Sequence, residues 1–233
     1  MEGQDVVTKI GDYKVTISPK IGSGSYGQVY RAEHETTKEL RAVKQIDLMQ
    51  NMKQNDKLLQ RAQKELNIIR RLQDHENIVK LFDVISLPSS VWIFMEFCSH
   101  NNLTYYIQEN VEMDLLSRLE IFRQCASALF FMHCQKPKII HRDIKMENIL
   151  MTESDGRIVS KLTDFGLSKF IENQSTSQIQ MKTFTGTRYY MAPELFEGQT
   201  YTENVDVFAL GLVFSVLLQY GPNHLLTIPL SGL

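Results

Sequence analysis

Apolar residues recur along the 233-residue chain with two different periods, and the change of period divides it. Residues 13–48 alternate, are rich in Val, Ile and Tyr, and are punctuated by turn glycines, which predicts three antiparallel strands. Residues 53–73 change to a three-to-four spacing, with Leu58, Ala62, Leu66, Ile69 and Leu72 on one face of a helix. The polar run Asp74-His75-Glu76-Asn77 ends that helix, and two further strands are predicted over 78–85 and 91–97. A long helix is expected over 114–133, with Leu119, Phe122, Ala126 and Leu129 on its inner face and Pro137 preventing continuation. Short strands are expected near 139–140 and 149–151, then a long polar loop over 167–191. The last helix, 204–219, is apolar on nearly every side and is stopped by Gly221-Pro222. Strands come early and helices late, so the expected class is α+β in two lobes.

Composition narrows this picture mainly by exclusion. The formal net charge is −2, which gives no electrostatic basis for nucleic acid or an anionic membrane as the main partner. Cys98, Cys125 and Cys134 have neither metal-ligand nor disulfide-framework spacing, as suits a reducing, cytoplasmic or nuclear location. Met1-Glu2-Gly3-Gln4-Asp5 lacks the basic and apolar regions of a signal peptide, and position 2 is not the glycine that myristoylation needs. The apolar run 205–218 contains Asp206 and is too short to span a bilayer.

Candidate chemistry concentrates in His141-Arg142-Asp143-Ile144-Lys145-Met146-Glu147-Asn148 and the later Asp164-Phe165-Gly166. Together these supply a base (Asp143), a cation to steady a moving phosphoryl group (Lys145), and two hard oxygen ligands (Asn148, Asp164) of the kind Mg²⁺ prefers. Gly22-Ser23-Gly24-Ser25-Tyr26-Gly27 is weak evidence alone; a dinucleotide-binding turn would start a helix at Gly27, whereas residues 28–33 continue as a strand. The glycines therefore suit a strand-turn-strand flap able to approach phosphates, and Lys44 follows on the third strand.

In this order, with Ala192-Pro193-Glu194 added, the motifs resemble the eukaryotic protein kinase superfamily over residues 13–220. The resemblance implies a bilobal fold: a small antiparallel β lobe with one helix (13–95) after an extension (1–12), a hinge (96–98), and a larger, mostly helical lobe (99–233), incomplete at its C-terminus. It implies ATP and Mg²⁺ as cofactors. Lys44 would hold the α- and β-phosphates and pair with a helix glutamate; helical phase, with Ile69 one turn later facing the core, favours Glu65 over Glu39 and Glu76. Ile21, Gly22, Gly24, Gly27, Val29, Ala42, Asn102 and Leu150 would bound the nucleotide, Met95 would guard the back of the adenine pocket, and the backbone of Glu96 and Cys98 would bond adenine. Ile69, Leu81, His141 and Phe165 would form an internal apolar column anchored at its base by Asp206. Lys145, two residues after the catalytic aspartate, and Thr187, able to bridge Asp143 and Lys145, imply serine/threonine rather than tyrosine specificity. Met146, Arg41 and Phe208 depart from common residues of the family without touching a catalytic atom.

Two further expectations follow. Arg142, Lys169 and Arg61 are cations that a phosphorylated Thr183, or secondarily Thr185, would gather, so an upstream kinase or autophosphorylation would activate the enzyme. The family's Glu194 counterpart pairs with a late arginine, yet no Lys or Arg follows Arg188; the chain is therefore expected to be a truncated form, marginally stable and weaker than a longer product. The expected function is transfer of the ATP γ-phosphate to a protein Ser/Thr hydroxyl. The alternative is a catalytically weak nucleotide-binding or interaction module.

Overall fold

A computed structural model of the chain describes residues 5–24, 27–48, 55–171, 188–196 and 201–219. The chain forms two compact units, one of residues 1–74 and 79–98 and the other of 75–78 and 99–233.

The first unit is built on an antiparallel sheet of β1 (Val6–Ile10), β2 (Tyr13–Ser18), β3 (Gly22–Gly24), β4 (Gly27–His34), β5 (Leu40–Asp47), β6 (Leu81–Leu87) and β7 (Ser90–Glu96), in the order β1-β2-β4-β5-β7-β6 with β3 paired to β4. Alternation drives it: Tyr13, Val15, Tyr30, Ala32, Val43 and Phe94 fall on one face and close a core, with the Tyr13 and Phe94 rings stacked at 3.9 Å. β1 was expected only as an extension; it pairs with β2 instead, with Ile10 reaching the core while Val6 and Val7 stay exposed. The helix α1 (Asn55–Arg71) buries Ala62, Leu66 and Ile69, as its spacing predicts, and also Glu65. The strand expected over 78–85 begins later, at Leu81, because Ile78 bridges Leu162 within the second unit.

The second unit contains α2 (Leu103–Glu109), α3 (Leu115–His133), β8 (Lys138–Ile140), β9 (Ile149–Ser154), β10 (Arg157–Leu162), β11 (Lys169–Ile171), the single turn α4 (Pro193–Phe196) and α5 (Asn204–Gln219). α2 and β10 were not foreseen, and β11, which pairs with β8, replaces the start of the expected long loop. The inner face of α3 also differs from expectation. Ile121, Cys125, Ala128, Leu129 and Met132 are buried, along with Arg118 and Gln124, while Leu119 is 41% exposed. A helix apolar around most of its circumference has little phase to read, and two long polar side chains take inward positions because hydrogen-bond partners await them. In α5, Leu217 is buried and Phe214 stacks on Phe122 at 4.1 Å, whereas Phe208 remains 40% exposed. Among the described residues no helix is long and apolar enough to cross a membrane.

Candidate active site

Lys44 lies on β5 and Glu65 on α1, both buried; Lys44 Nζ meets Glu65 Oε1 at 2.8 Å and Oε2 at 3.1 Å. A carboxylate within an apolar helix stripe must have a partner, and this one selects Glu65 over Glu39, which instead bonds Arg41 and Thr37. The glycine hairpin runs from Gly22 to Gly27, with Gly22 opposite Val29 and Gly24 opposite Gly27. Its glycines do different things. A Cβ on Gly27 would lie 2.1 Å from the Gln45 carbonyl oxygen, so close strand packing requires that glycine. A Cβ on Gly22 would meet only Val29 Cβ, at 3.8 Å, so Gly22 leaves room at the surface. Ile21 is exposed, Val29 and Ala42 are half-buried, and Met95 is buried at the end of β7. Glu96 N donates to Lys80 O at 2.9 Å, and Cys98 is half-buried.

In the second unit the 141–148 motif is held from behind by α5. Asp206, 1% exposed, accepts the backbone N–H of His141 on Oδ2 and that of Arg142 on Oδ1, each at 2.8 Å; His133 Nε2 lies 2.9 Å from Oδ2. This grip holds Arg142 in the left-handed region (φ 67°), a conformation that costs a non-glycine residue free energy and persists only when its surroundings impose it. Asp206 thus anchors the backbone of the loop that carries Asp143. His141 Nε2 faces Thr163 O at 3.0 Å and its Nδ1 accepts Asp143 N at 3.3 Å, an arrangement that puts the ring proton on Nε2. The His141 and Phe165 rings pack 5.2 Å apart, with Phe165 buried.

Around Asp143 the charges are arranged tightly. Asn148 Nδ2 donates to both Asp143 O (2.8 Å) and Oδ2 (2.9 Å), and Lys145 Nζ lies 3.1 Å from the same Oδ2. Oδ1 has no hydrogen bond among the described residues and can accept a proton. Thr163 N donates to Asn148 O at 3.0 Å, which ties the residue before Asp164 to the Asn148 turn; Asp164 adopts a left-handed conformation (φ 60°). A divalent metal fits this donor set in kind: with Nδ2 occupied, Asn148 can offer its amide oxygen, and Asp164 offers a carboxylate. Mg²⁺ commonly takes only one or two such protein oxygens and completes its shell with phosphate and water.

Other expected residues fall elsewhere. Asn102 Oδ1 accepts Tyr105 N at 3.2 Å and so caps α2, while Asn102 itself bridges Leu150. Arg142 donates to Tyr201 Oη at 2.7 Å, but its buried Nε has no partner among the described residues; burial and then the Arg142 charge push the Lys169 amine below its ordinary value. Arg61 is on the exposed side of α1, and Glu194 is half-buried in α4. Thr183, Thr185 and Thr187 lie outside the described residues. His133, Thr163 and Tyr201 had not been picked out; only Asp206, a lone charge in an apolar helix, signalled that partners must exist.

Comparison with known proteins agrees with this geometry. The family model described as protein kinase domain matches residues 15–224. The chain is 32% identical over 219 residues to the serine/threonine-protein kinase atg1 of Dictyostelium discoideum, covering 93% of this chain and 31% of the relative. It is 34% identical over 233 residues to the serine/threonine-protein kinase PAK 1 of Mus musculus (97% and 39%), and 31% identical over 222 residues to ATG1a of Arabidopsis thaliana (93% and 33%). The chain therefore spans about a third of the length of these curated relatives.

Proposed function

Because the chain belongs to the protein kinase family, we propose that it transfers the γ-phosphoryl group of ATP to a serine or threonine hydroxyl of a protein substrate. The observation that carries this reading is Asp143, whose Oδ2 is held by Asn148 and Lys145 while Oδ1 is left to receive the hydroxyl proton. In phosphoryl transfer positioning and charge neutralisation carry most of the rate, so a base fixed in place before substrate arrives lowers the barrier without costly rearrangement. Lys145 would steady the transferring group, and Lys44, oriented by Glu65, would hold the α- and β-phosphates. Glu96 N is occupied within the first unit, so an adenine contact by Glu96 falls to its carbonyl. Asn148 and Asp164 would hold Mg²⁺, which when bound neutralises charge on the phosphate oxygens. The Lys145 position and Thr187 support a serine/threonine acceptor, as do the names of the relatives.

Activation by phosphorylation of Thr183 or Thr185 belongs to the same reading. It is supported by Arg142 and Lys169, two cations close enough for one to depress the other's proton affinity, and by the Arg142 Nε, which has no partner among the described residues. A phosphate placed there would relieve like-charge repulsion and supply an acceptor. A reducing, cytoplasmic setting is also part of it, supported by Cys98, Cys125 and Cys134, none of which is in a disulfide.

The test is ATP-dependent phosphorylation of a generic serine/threonine protein substrate by wild type and Asp143→Asn. Loss of a general base costs about 10²–10⁴-fold in rate. A variant retaining more than about a tenth of wild-type activity would show the base to be misassigned. Nucleotide binding by wild type without any phosphoryl transfer would favour the interaction-module alternative.

A further inference from the structure

The polar run Asp74-His75-Glu76-Asn77 does more than follow a helix. Residues 75–78 belong to the second unit, although α1 and β6 on either side of them belong to the first. Within the second unit they are fastened to β10. Ile78 bridges Leu162, Leu162 N donates to Asn77 O at 2.9 Å, and Lys161 Nζ donates to Glu76 O at 2.7 Å. The Asn77 side-chain amide donates to Ser160 O at 3.0 Å and to Gln124 Oε1, on α3, at 3.3 Å. The strand gripped in this way leads through Thr163 into Asp164.

His75 closes the grip, and its bonds define its protonation state. Nδ1 accepts Asn77 N at 3.2 Å, Nε2 lies 3.1 Å from Ser127 Oγ, and the ring packs 5.0 Å from that of Phe131. A ring nitrogen that accepts a backbone N–H carries no proton, so the imidazole is neutral and donates from Nε2 to Ser127. A second proton can go only to Nδ1. There it would point at the Asn77 N–H, donor against donor, and the bond is lost. Asn77 is 2% exposed, so water does not replace the acceptor while the segment stays in place. Turning the ring over gives no relief, because a C–H then stands where Nδ1 was.

Two charged groups face the ring. Glu76, its neighbour in the chain, favours the proton, and Lys161 on β10 opposes it. The α3 residues against the ring, Ser127 and Phe131, carry no charge. Burial is the largest influence and holds the imidazole below its ordinary value despite Glu76. A histidine depressed in the folded state takes up a proton more readily once released. Its contribution is therefore complete above about pH 6.5 and is lost as pH falls below that.

We propose that His75 is an acid-sensitive latch: neutral, it clamps residues 75–78 to α3 and to the end of β10; protonated, it lets that segment go. The consequence for catalysis rests on the function proposed above. Asp164 follows the clamped strand by two residues, so release unsettles the carboxylate assigned to the metal.

Amide hydrogen exchange on the full chain at about pH 7.5 and about pH 5.5, corrected for the intrinsic pH dependence of exchange, is the test. The lower value is about one unit below that of an ordinary histidine, so protection of the Asn77 and Leu162 amides should fall about three- to tenfold in wild type. His75→Asn offers an uncharged acceptor to the amide two residues on, so its protection should change less than about twofold. Nitrogen NMR of wild type gives a reading independent of how the variant folds: a neutral ring with its proton on Nε2 at about pH 7.5, titrating below about 6.5. Acid should also lower kcat more in wild type than in His75→Asn; absence of phosphoryl transfer by both at neutral pH would count against the proposed function and not against the latch. Equal loss of protection in the two proteins, undiminished protection of wild type in acid, or a ring protonated on Nδ1 at neutral pH would each overturn the proposal.

Discussion

Replacing Asp206 by asparagine changes one oxygen to an amide at a point where three donors converge. An asparagine has a single acceptor oxygen. Whichever way the amide turns, the backbone N–H of His141 or that of Arg142 faces an NH₂ group. Leaving one buried N–H unpaired costs about 1–3 kcal/mol, and the surviving bond drops from charge-assisted to neutral, about 1 kcal/mol more. The total is roughly 2–4 kcal/mol. For a domain of this size each kcal/mol lowers Tm by roughly 2–4 °C, so a fall of roughly 5–15 °C is expected by calorimetry or circular dichroism. The same bonds hold Arg142 in its left-handed conformation and so set the position of Asp143. If about half the penalty falls on that geometry, kcat drops about 5–30-fold at 1.36 kcal/mol per decade, with KM for ATP little changed. His133→Leu is the control: both backbone amides keep their acceptor, so its cost should stay near about 1 kcal/mol. Wild-type kcat and Tm in Asp206→Asn would refute the assignment of Asp206 as the loop's anchor.

Lys44→Met should abolish phosphoryl transfer and, by leaving Glu65 buried without its cation, also lower stability by about 3–5 kcal/mol in urea unfolding. Lys44→Met/Glu65→Leu should regain most of that stability and none of the activity; a double variant no more stable than the single would contradict the pairing. Gly27→Ala should destabilise the first unit and weaken ATP-analogue binding, whereas Gly22→Ala should leave stability unchanged, because only Gly27 faces a backbone atom at 2.1 Å. Burial pushes the Cys125 thiol up to about 11, so at neutral pH N-ethylmaleimide should modify the exposed Cys134 first and Cys125 only on unfolding, as peptide mass spectrometry would show.

Local order made much of this protein readable from its chain alone. The residues from His141 to Asn148 are contiguous, so their roles could be assigned before any fold was known. The kinase resemblance called for a helix glutamate to pair with Lys44, and helical phase singled out Glu65, because Ile69 one turn later faces the core. The α1 stripe and α5 were likewise visible in their spacing and apolarity. Other features depended on tertiary contacts between distant residues. Nothing near position 206 says that its carboxylate accepts the amides of His141 and Arg142, although a charge in an apolar helix required some donor. The inner face of α3 was misread because partners elsewhere in the chain allow Arg118 and Gln124 to be buried. β11 exists because β8 offers it an edge, not because its own residues insist on a strand. Periodicity and contiguous motifs record short-range physics, whereas hydrogen-bond satisfaction and charge convergence are decided only where separate segments meet.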